Sequence, residues 1–411
     1  MSRHQPPTAS RLGLWLLGVW PGAALGAVSF HHNFEGGSLG LVEQIGSDHF
    51  RCHVVGQTDY RGRNRQATWY YFRIDGVAGR TLRLSLTNLV GEYNDRPGAV
   101  AMGPDTIPVY SLDNLTWQHF PSMDWDPHTK QATVALRVEQ DSVWVAHVPP
   151  YPLSRLEALL AEVKRSPHAQ VQAIGQSVQG RALYLVSIDE PAVGQATNPC
   201  VWVIARQHAW EAPTSFVLEG AIRFLISADP QAAQVRRRCQ LKLVPTMDPD
   251  GLVAGTVRFN ALGYDLNRHW DEVDPSQPAW RSRMPEIWHV KRALFDHLDK
   301  GGRIDLMLNL HNTETAEYLE TQVTDPALLK RFERLYKLLV AQTSFDPSRA
   351  LSVRTEPATD TNVLYRQRRV PVALMEQRIG FCPKLGRRPT VQDRLRFGRE
   401  LVLALAQTLH Q

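Results

Sequence analysis

No two cysteines in this chain are spaced to share a metal ion. The four, Cys52, Cys200, Cys239 and Cys382, include no Cys-x-x-Cys pair, which argues against a thiolate zinc cage. They are too sparse for a disulfide scaffold. One bridge between Cys200 and Cys239, which open two neighbouring strand candidates, and four buried free thiols are the arrangements left open. Long apolar runs are lacking too. The stretch Leu12 to Val19 is soon followed by Pro21 and is too short to span a bilayer as a helix, so no membrane span is expected. The positive charge is slight: 46 basic residues against 41 acidic give +5. Without a zinc-finger or basic-helix pattern, that excess does not call for a nucleic-acid partner. Internal repeats and low-complexity segments are absent.

What is present is globular. Hydrophobic residues make up 43% and charged residues 21%, values of a folding chain rather than a disordered one. A length of 411 residues makes two domains the default. Residues 1–27 have the layout of a signal peptide: Arg3 and Arg11, an apolar stretch, then small residues with cleavage after Gly26 or Ala27. That layout points to a periplasmic or secreted protein. If the segment is only an unstructured leader, the protein is cytoplasmic.

The remainder divides by pattern. Within 28–150, Ala67–Gly76, Arg80–Leu89, Gln131–Val138 and Asp141–Val148 alternate apolar and polar residues between Gly, Asn, Asp and Pro. This predicts an antiparallel β-sandwich. Trp69, Tyr70 and Trp117 are assigned to its core rather than to a binding face. The segment Pro149-Pro-Tyr-Pro152 is a stiff linker. Within 151–411 strands and helices alternate. Strands are predicted at 171–174, 182–188, 200–205, 240–245, 304–310 and 370–375. Helices are predicted from Ser154, with Ser154 and Glu157 as a capping box, and at 215–226, 286–298, 326–342 and 392–409. The expected fold is α/β, with a mixed, helix-covered sheet behind the sandwich.

Sites in α/β domains lie beyond the carboxyl ends of the strands. In chain order those ends carry His208-Ala-Trp-Glu211, then Arg258, then Asp265-Leu-Asn267-Arg268, then His311, then Glu376. Two histidines and a carboxylate are the ligand set of a hydrolytic zinc site that keeps an open position for water. Glu376 suits a general base and acid, Arg258 an oxyanion partner, and Asn267 with Arg268 a grip on a substrate carboxylate. The sequence alone does not prove zinc over another divalent metal.

The same ordered set resembles the M14 zinc carboxypeptidases, most closely their cytosolic-carboxypeptidase-like, deglutamylating branch. The motifs are RQHAWEAPTSFVLEG, PTMDPDGLVAGTVRFNALGYDLNRHW, LNLHNTET and VALMEQ, with WYYFRIDGVAGRTLRLSLTNL in the sandwich. The resemblance implies one Zn2+ per chain on His208, Glu211 and His311, and metal-bound water activated by Glu376. Arg258 would polarise the scissile carbonyl, while Asn267 and Arg268 would bind the terminal carboxylate. Asp265 would accept a hydrogen bond from the His208 ring. The implied substrate is a peptide or protein C-terminus, cleaved at its last peptide or isopeptide bond. The chain departs from the family in HNTETAEYLE after His311 and in LMEQRIG around Glu376. For the tyrosine that closes over substrate in many members, Tyr365 is a candidate.

Seven basic residues fall between Arg366 and Arg388. They suggest a basic wall for an acidic C-terminal side chain, with Arg366 as the specificity residue; the other reading is a solvated basic face. Two alternatives to a carboxypeptidase stay open. One is a zinc amidohydrolase for small N-acyl amino acids, against which the preceding sandwich argues. The other is a catalytically inactive peptide-binding protein on the same scaffold, against which the intact ligand and glutamate set argues.

Overall fold

A computed structural model describes residues 27–190 and 198–410. Residues 1–26 of the expected 1–27 leader lie outside the described residues, and among those described no helix is long and apolar enough to cross a membrane.

The amino-terminal unit is two five-stranded sheets. One runs Ser29–His31, Tyr71–Asp75, Ser142–Ala146, Val109–Ser111, Gln118–His119; the other runs Met123–Asp126, Gln131–Val138, Arg80–Thr87, His49–His53, Val42–Gln44. Alternation along the strands sends Phe72, Ile74, Val143 and Val145 inward to meet Leu82, Leu84, Ala132 and Val134 in one core. All pairs are antiparallel except His49–His53 with Arg80–Thr87, which is parallel. That pair needs a long crossover, which alternation alone does not reveal.

The outer face of the first sheet is covered as well. Tyr71, Val109 and Ala146 share a core with Tyr151, Leu156 and Phe216 of the second unit. Trp69 and Tyr70 are buried, and Trp117 packs edge-on against Tyr71 at 5.8 Å. The helix Leu153–Val163 starts one residue earlier than Ser154. Ser154 is therefore inside the first turn and forms no capping box. Its N–H and Oγ instead donate to Glu35 of the amino-terminal unit, at 3.0 and 2.7 Å, which supplies an acceptor to an otherwise unpaired helix-start N–H.

The second unit is built on an eight-stranded mixed sheet. Its order is Ala169–Gln176, Ala182–Ile188, Gln240–Val244, Cys200–Ala205, Leu306–Thr313, Val372–Arg378, Tyr318–Thr321, Ser352–Val353. The four central strands are parallel to one another. Cys200–Ala205 is buried on both faces, as a central parallel strand must be. Val201, Val203 and Ala205 face the helices Ala212–Leu225 and Val391–Leu409, while Trp202 and Ile204 face Pro285–Asp299. Those first two helices pack almost backbone to backbone. A Cβ at Gly398 would stand 1.9 Å from the Val217 carbonyl oxygen, and one at Gly220 would stand 2.0 Å from that of Leu395.

The four cysteines are buried and free. Cys200 and Cys239 do open neighbouring parallel strands, with Cys200 opposite Gln240, but no bridge joins them. Elements that the sequence pattern missed are the helices Pro230–Arg238, Pro249–Ala254 and Asp360–Arg368 and the edge strands Tyr318–Thr321 and Ser352–Val353. Asp248 of the MDPDG stretch caps the second of these helices, its side chain accepting from Gly251 N.

Candidate metal centre

Strand Cys200–Ala205 ends at Arg206, whose backbone is left-handed, φ 54°. A non-glycine residue there costs about 1–2 kcal/mol. The turn is held by the buried Arg206 guanidinium, which donates to Ser215 Oγ at 3.1 Å and to the Ala209 carbonyl. It turns His208 and Glu211 to one side just before helix Ala212–Leu225 begins. His311 comes from the adjacent parallel strand. The strands Leu306–Thr313 and Val372–Arg378 each run further than the sequence pattern suggested, so His311 and Glu376 lie within them as direct register partners.

His208, Glu211 and His311 offer three ligand atoms within 4.8 Å of one another, and all three residues are buried. His208 Nδ1 is 2.8 Å from Glu211 Oε1, and His311 Nδ1 is 3.1 Å from Glu211 Oε2. The other ring nitrogens are engaged elsewhere. His208 Nε2 donates to Asp265 Oδ1 at 3.0 Å, and His311 Nε2 donates to Gln207 Oε1 at 3.0 Å. These bonds fix both tautomers and leave both Nδ1 lone pairs facing Glu211. Glu211 Oε2 is buried without a hydrogen-bond partner. A buried carboxylate facing two imidazole nitrogens, with one oxygen lacking a hydrogen bond, fits a divalent cation of the zinc type.

Electrostatics agree. Burial would raise the Glu211 carboxyl, but His311 and His208 outweigh it and hold it down to about 2. Burial and Arg258 lower the affinity of His208 for a proton, yet Glu211 and Asp265 raise it above the usual histidine value. The negative field that would hold a proton there would equally hold a cation. Asp265 is kept well below the carboxylate range against burial, chiefly by Arg258 and His208.

The centre opens into a cavity of about 610 Å³ lined by Arg258, Asn267, Arg268 and Glu376. Arg258 Nε donates to Asp265 Oδ2 at 2.8 Å. Asn267 N donates to Asp265 Oδ1 at 2.8 Å. Arg268 donates to the Asn267 carbonyl at 2.8 Å and lies 3.7 Å from Glu356. Burial, then Glu211 and Glu314, push Glu376 well above the ordinary glutamate value, and Arg258 opposes them. A dication on the triad would pull it back down.

Arg366 is not part of this cavity. It sits on the exposed face of helix Asp360–Arg368. The rest of the basic stretch is spent elsewhere. Arg368 pairs with Asp299, Arg387 with Asp393, and Lys384 caps the carbonyls of Val340, Thr343 and Phe345. Tyr365 is buried and its hydroxyl accepts from Asp325 N at 3.2 Å, so it does not face the cavity either.

The cavity instead has walls that sequence reasoning missed. Arg354 and Tyr318 line it from the second unit, and Arg65 and Tyr93 line it from the amino-terminal unit. The Tyr93 ring lies 5.4 Å from the Arg258 guanidinium carbon. Tyr93 sits on a separate two-stranded hairpin, Gly91–Tyr93 with Arg96–Ala99, and nothing in its local pattern GEYNDRPGA marks it as part of a site.

One imidazole from a strand-end turn and one from the adjacent strand, with a carboxylate, a facing glutamate and an arginine cluster, define a zinc-hydrolase type of centre. Profile comparison narrows it. Residues 156–344 match the zinc carboxypeptidase family and residues 30–148 match the cytosolic carboxypeptidase N-terminal domain. Together they take in most of the chain, which carries a zinc carboxypeptidase domain behind a cytosolic carboxypeptidase N-terminal domain. The first match includes the triad but ends before Glu376; the strand register supplies that residue. Among curated relatives, cytosolic carboxypeptidase 6 of Mus musculus is 29% identical over 71% of this chain and 54% of its own length. Cytosolic carboxypeptidase 2 of Homo sapiens is 25% identical over 64% of this chain and 30% of its own length. The chain thus spans about half or less of the length of these two relatives. Among solved structures, a metallo-carboxypeptidase from Burkholderia cenocepacia shares the fold. Its TM-score is 0.81, with 23% identity, over 93% of this chain and 99% of that one. A metallo-carboxypeptidase from Pseudomonas aeruginosa is similar at TM-score 0.78, 23% identity, over 92% and 98%.

Proposed function

We propose that the protein is a zinc-dependent carboxypeptidase that removes the last residue of a peptide or protein chain. The observation that carries this is the pair of imidazole Nδ1 atoms turned onto the buried Glu211 carboxylate, His208 toward Oε1 and His311 toward Oε2, with Glu376 the register partner of His311 on the next strand. His208, Glu211 and His311 would hold one Zn2+, and no second cluster of metal-ligating residues occurs among the described residues. Zinc there supplies Lewis acidity and makes hydroxide available near neutral pH.

The chain's own residues do the rest. Arg268 and the Asn267 amide take the substrate's terminal carboxylate, placing the last peptide bond near Arg258. Arg258 stabilises the carbonyl oxygen as it becomes an oxyanion. Glu376 accepts a proton from the attacking water as the new C–O bond forms. It returns that proton to the amine as the C–N bond breaks. Asp265 holds both His208 and Arg258 in place, so one carboxylate orients a ligand and the oxyanion partner together. The curated relatives named here are called cytosolic carboxypeptidases, which favours the cytoplasmic alternative.

A preference for acidic C-terminal residues rests on Arg354. Glu320, 3.8 Å from Arg354, is already paired with Arg349 at 2.7 Å. Arg354 therefore remains available to a substrate carboxylate. Arg354→Ala is expected to reduce kcat/KM for glutamate-terminated peptides about tenfold relative to leucine-terminated ones, the range for one partly exposed charge-assisted contact. A peptide panel differing only in the last residue measures this. An unchanged ranking would remove Arg354 from the specificity site.

A further inference from the structure

The amino-terminal unit reaches the centre in a second way, through one side chain. The Gln57 Oε1 atom accepts three consecutive backbone N–H groups of the second unit: Val257 at 3.1 Å, Arg258 at 2.7 Å and Phe259 at 2.9 Å. Its Nε2 donates to the Phe259 carbonyl at 2.7 Å. The amide thus satisfies four backbone groups on a segment of three residues, and the middle residue is Arg258.

Gln57 is itself fixed. Its backbone N–H and carbonyl both pair with Gln66, each at 2.8 Å. Nearby, Tyr60 N donates to the Gly263 carbonyl at 3.0 Å, and the Tyr60 ring stacks on Tyr264 at 4.6 Å. The segment held by Gln57 has no strand ladder of its own beyond a single bridge between Phe259 and Asp265. Three N–H groups left without a partner would have to find water or move. From Arg258 the connection continues through Asp265 to His208.

We propose that Gln57 is a positioning residue for Arg258: the sandwich sets the place of the oxyanion partner by clamping its backbone. This rests on the carboxypeptidase reading and on the role given there to Arg258. Only a side chain with both an acceptor and a donor at this reach can meet N–H and C=O groups of one segment together. Leucine has the shape without either group. Glutamate keeps the acceptor and loses the donor.

The test is a double-mutant cycle on the full chain, reading kcat and KM separately with zinc content and thermal midpoint checked for each variant. Gln57→Leu is expected to lower kcat at least tenfold with KM changed less than about threefold, because an oxyanion partner acts mainly in the transition state. Gln57→Glu should recover most of that loss. In an Arg258→Ala background, Gln57→Leu should cost less than about twofold more. Equal losses from Gln57→Leu with and without Arg258 would overturn the inference, as would unchanged kcat in the single variant. If Gln57→Leu does not fold, Gln57→Asn, which keeps both groups but lacks the reach, takes its place in the same cycle with the same expected loss and the same criterion of non-additivity. Failure of the wild-type protein to release terminal residues would instead overturn the carboxypeptidase reading.

Discussion

Glu376→Gln is expected to keep its metal and lose kcat by about a thousandfold to ten-thousandfold, the upper part of the range for a general base and acid. The substitution is nearly isosteric. It also removes a buried carboxylate that Glu211 and Glu314 disfavour and whose Oε2 has no hydrogen-bond partner. The thermal midpoint should therefore hold or rise, while turnover collapses. That opposition separates the catalytic role from a structural one. A glutamate kept only as an ion-pair partner would lose stability on mutation and leave kcat within a few-fold. Stopped assays of kcat, with zinc content by atomic spectroscopy and a melting curve, measure all three quantities.

The second large effect concerns His311. His311→Ala should weaken zinc binding by more than about a hundredfold, beyond the loss expected from removing a mere orienting partner. Activity should fall with it. The ring is buried on the central strand Leu306–Thr313, with Nε2 held by Gln207. Its removal opens a small void and leaves Gln207 Oε1 with only Asn309 as a donor. A folding cost of about 1–3 kcal/mol is expected from that loss, well short of unfolding the domain. Competition with a zinc-binding dye reads the affinity directly, without reference to turnover. Undiminished affinity would exclude His311 as a ligand.

The pieces of the site that were legible in the sequence are those fixed by strand periodicity. A buried run from Cys200 to Ala205 followed at once by His208 and Glu211 allows few places for those side chains, and the structure puts them at the sheet's carboxyl edge. His311 and Glu376 follow the same logic on neighbouring strands. Arg258, Asn267 and Arg268 do line the cavity with them. What failed was inference from local composition. The basic stretch from Arg366 to Arg388 looked like a pocket wall because its charges are close in sequence. In the fold they lie on a helix, at the end of strand Val372–Arg378 and on the loop beyond it, and several are consumed by carbonyls and carboxylates. The Ser154 cap failed for a similar reason: the acceptor it meets, Glu35, is 119 residues away. The sandwich's contribution was illegible because Gln57 and Tyr93 act across a domain junction, at separations of about 200 residues for Gln57. No short-range pattern encodes such contacts.

The central claim is metal-dependent removal of a single C-terminal residue. Mass spectrometry of a glutamate-terminated peptide is the most direct measurement, run with zinc-loaded protein, with chelated protein, and with the same peptide amidated at its terminus. Loss of one residue from the free-acid peptide is expected, abolished by chelator and absent with the amide, because Arg268 and Asn267 need a carboxylate to hold. Cleavage within the chain, equal trimming of the amidated peptide, or release that persists after zinc is removed would contradict it.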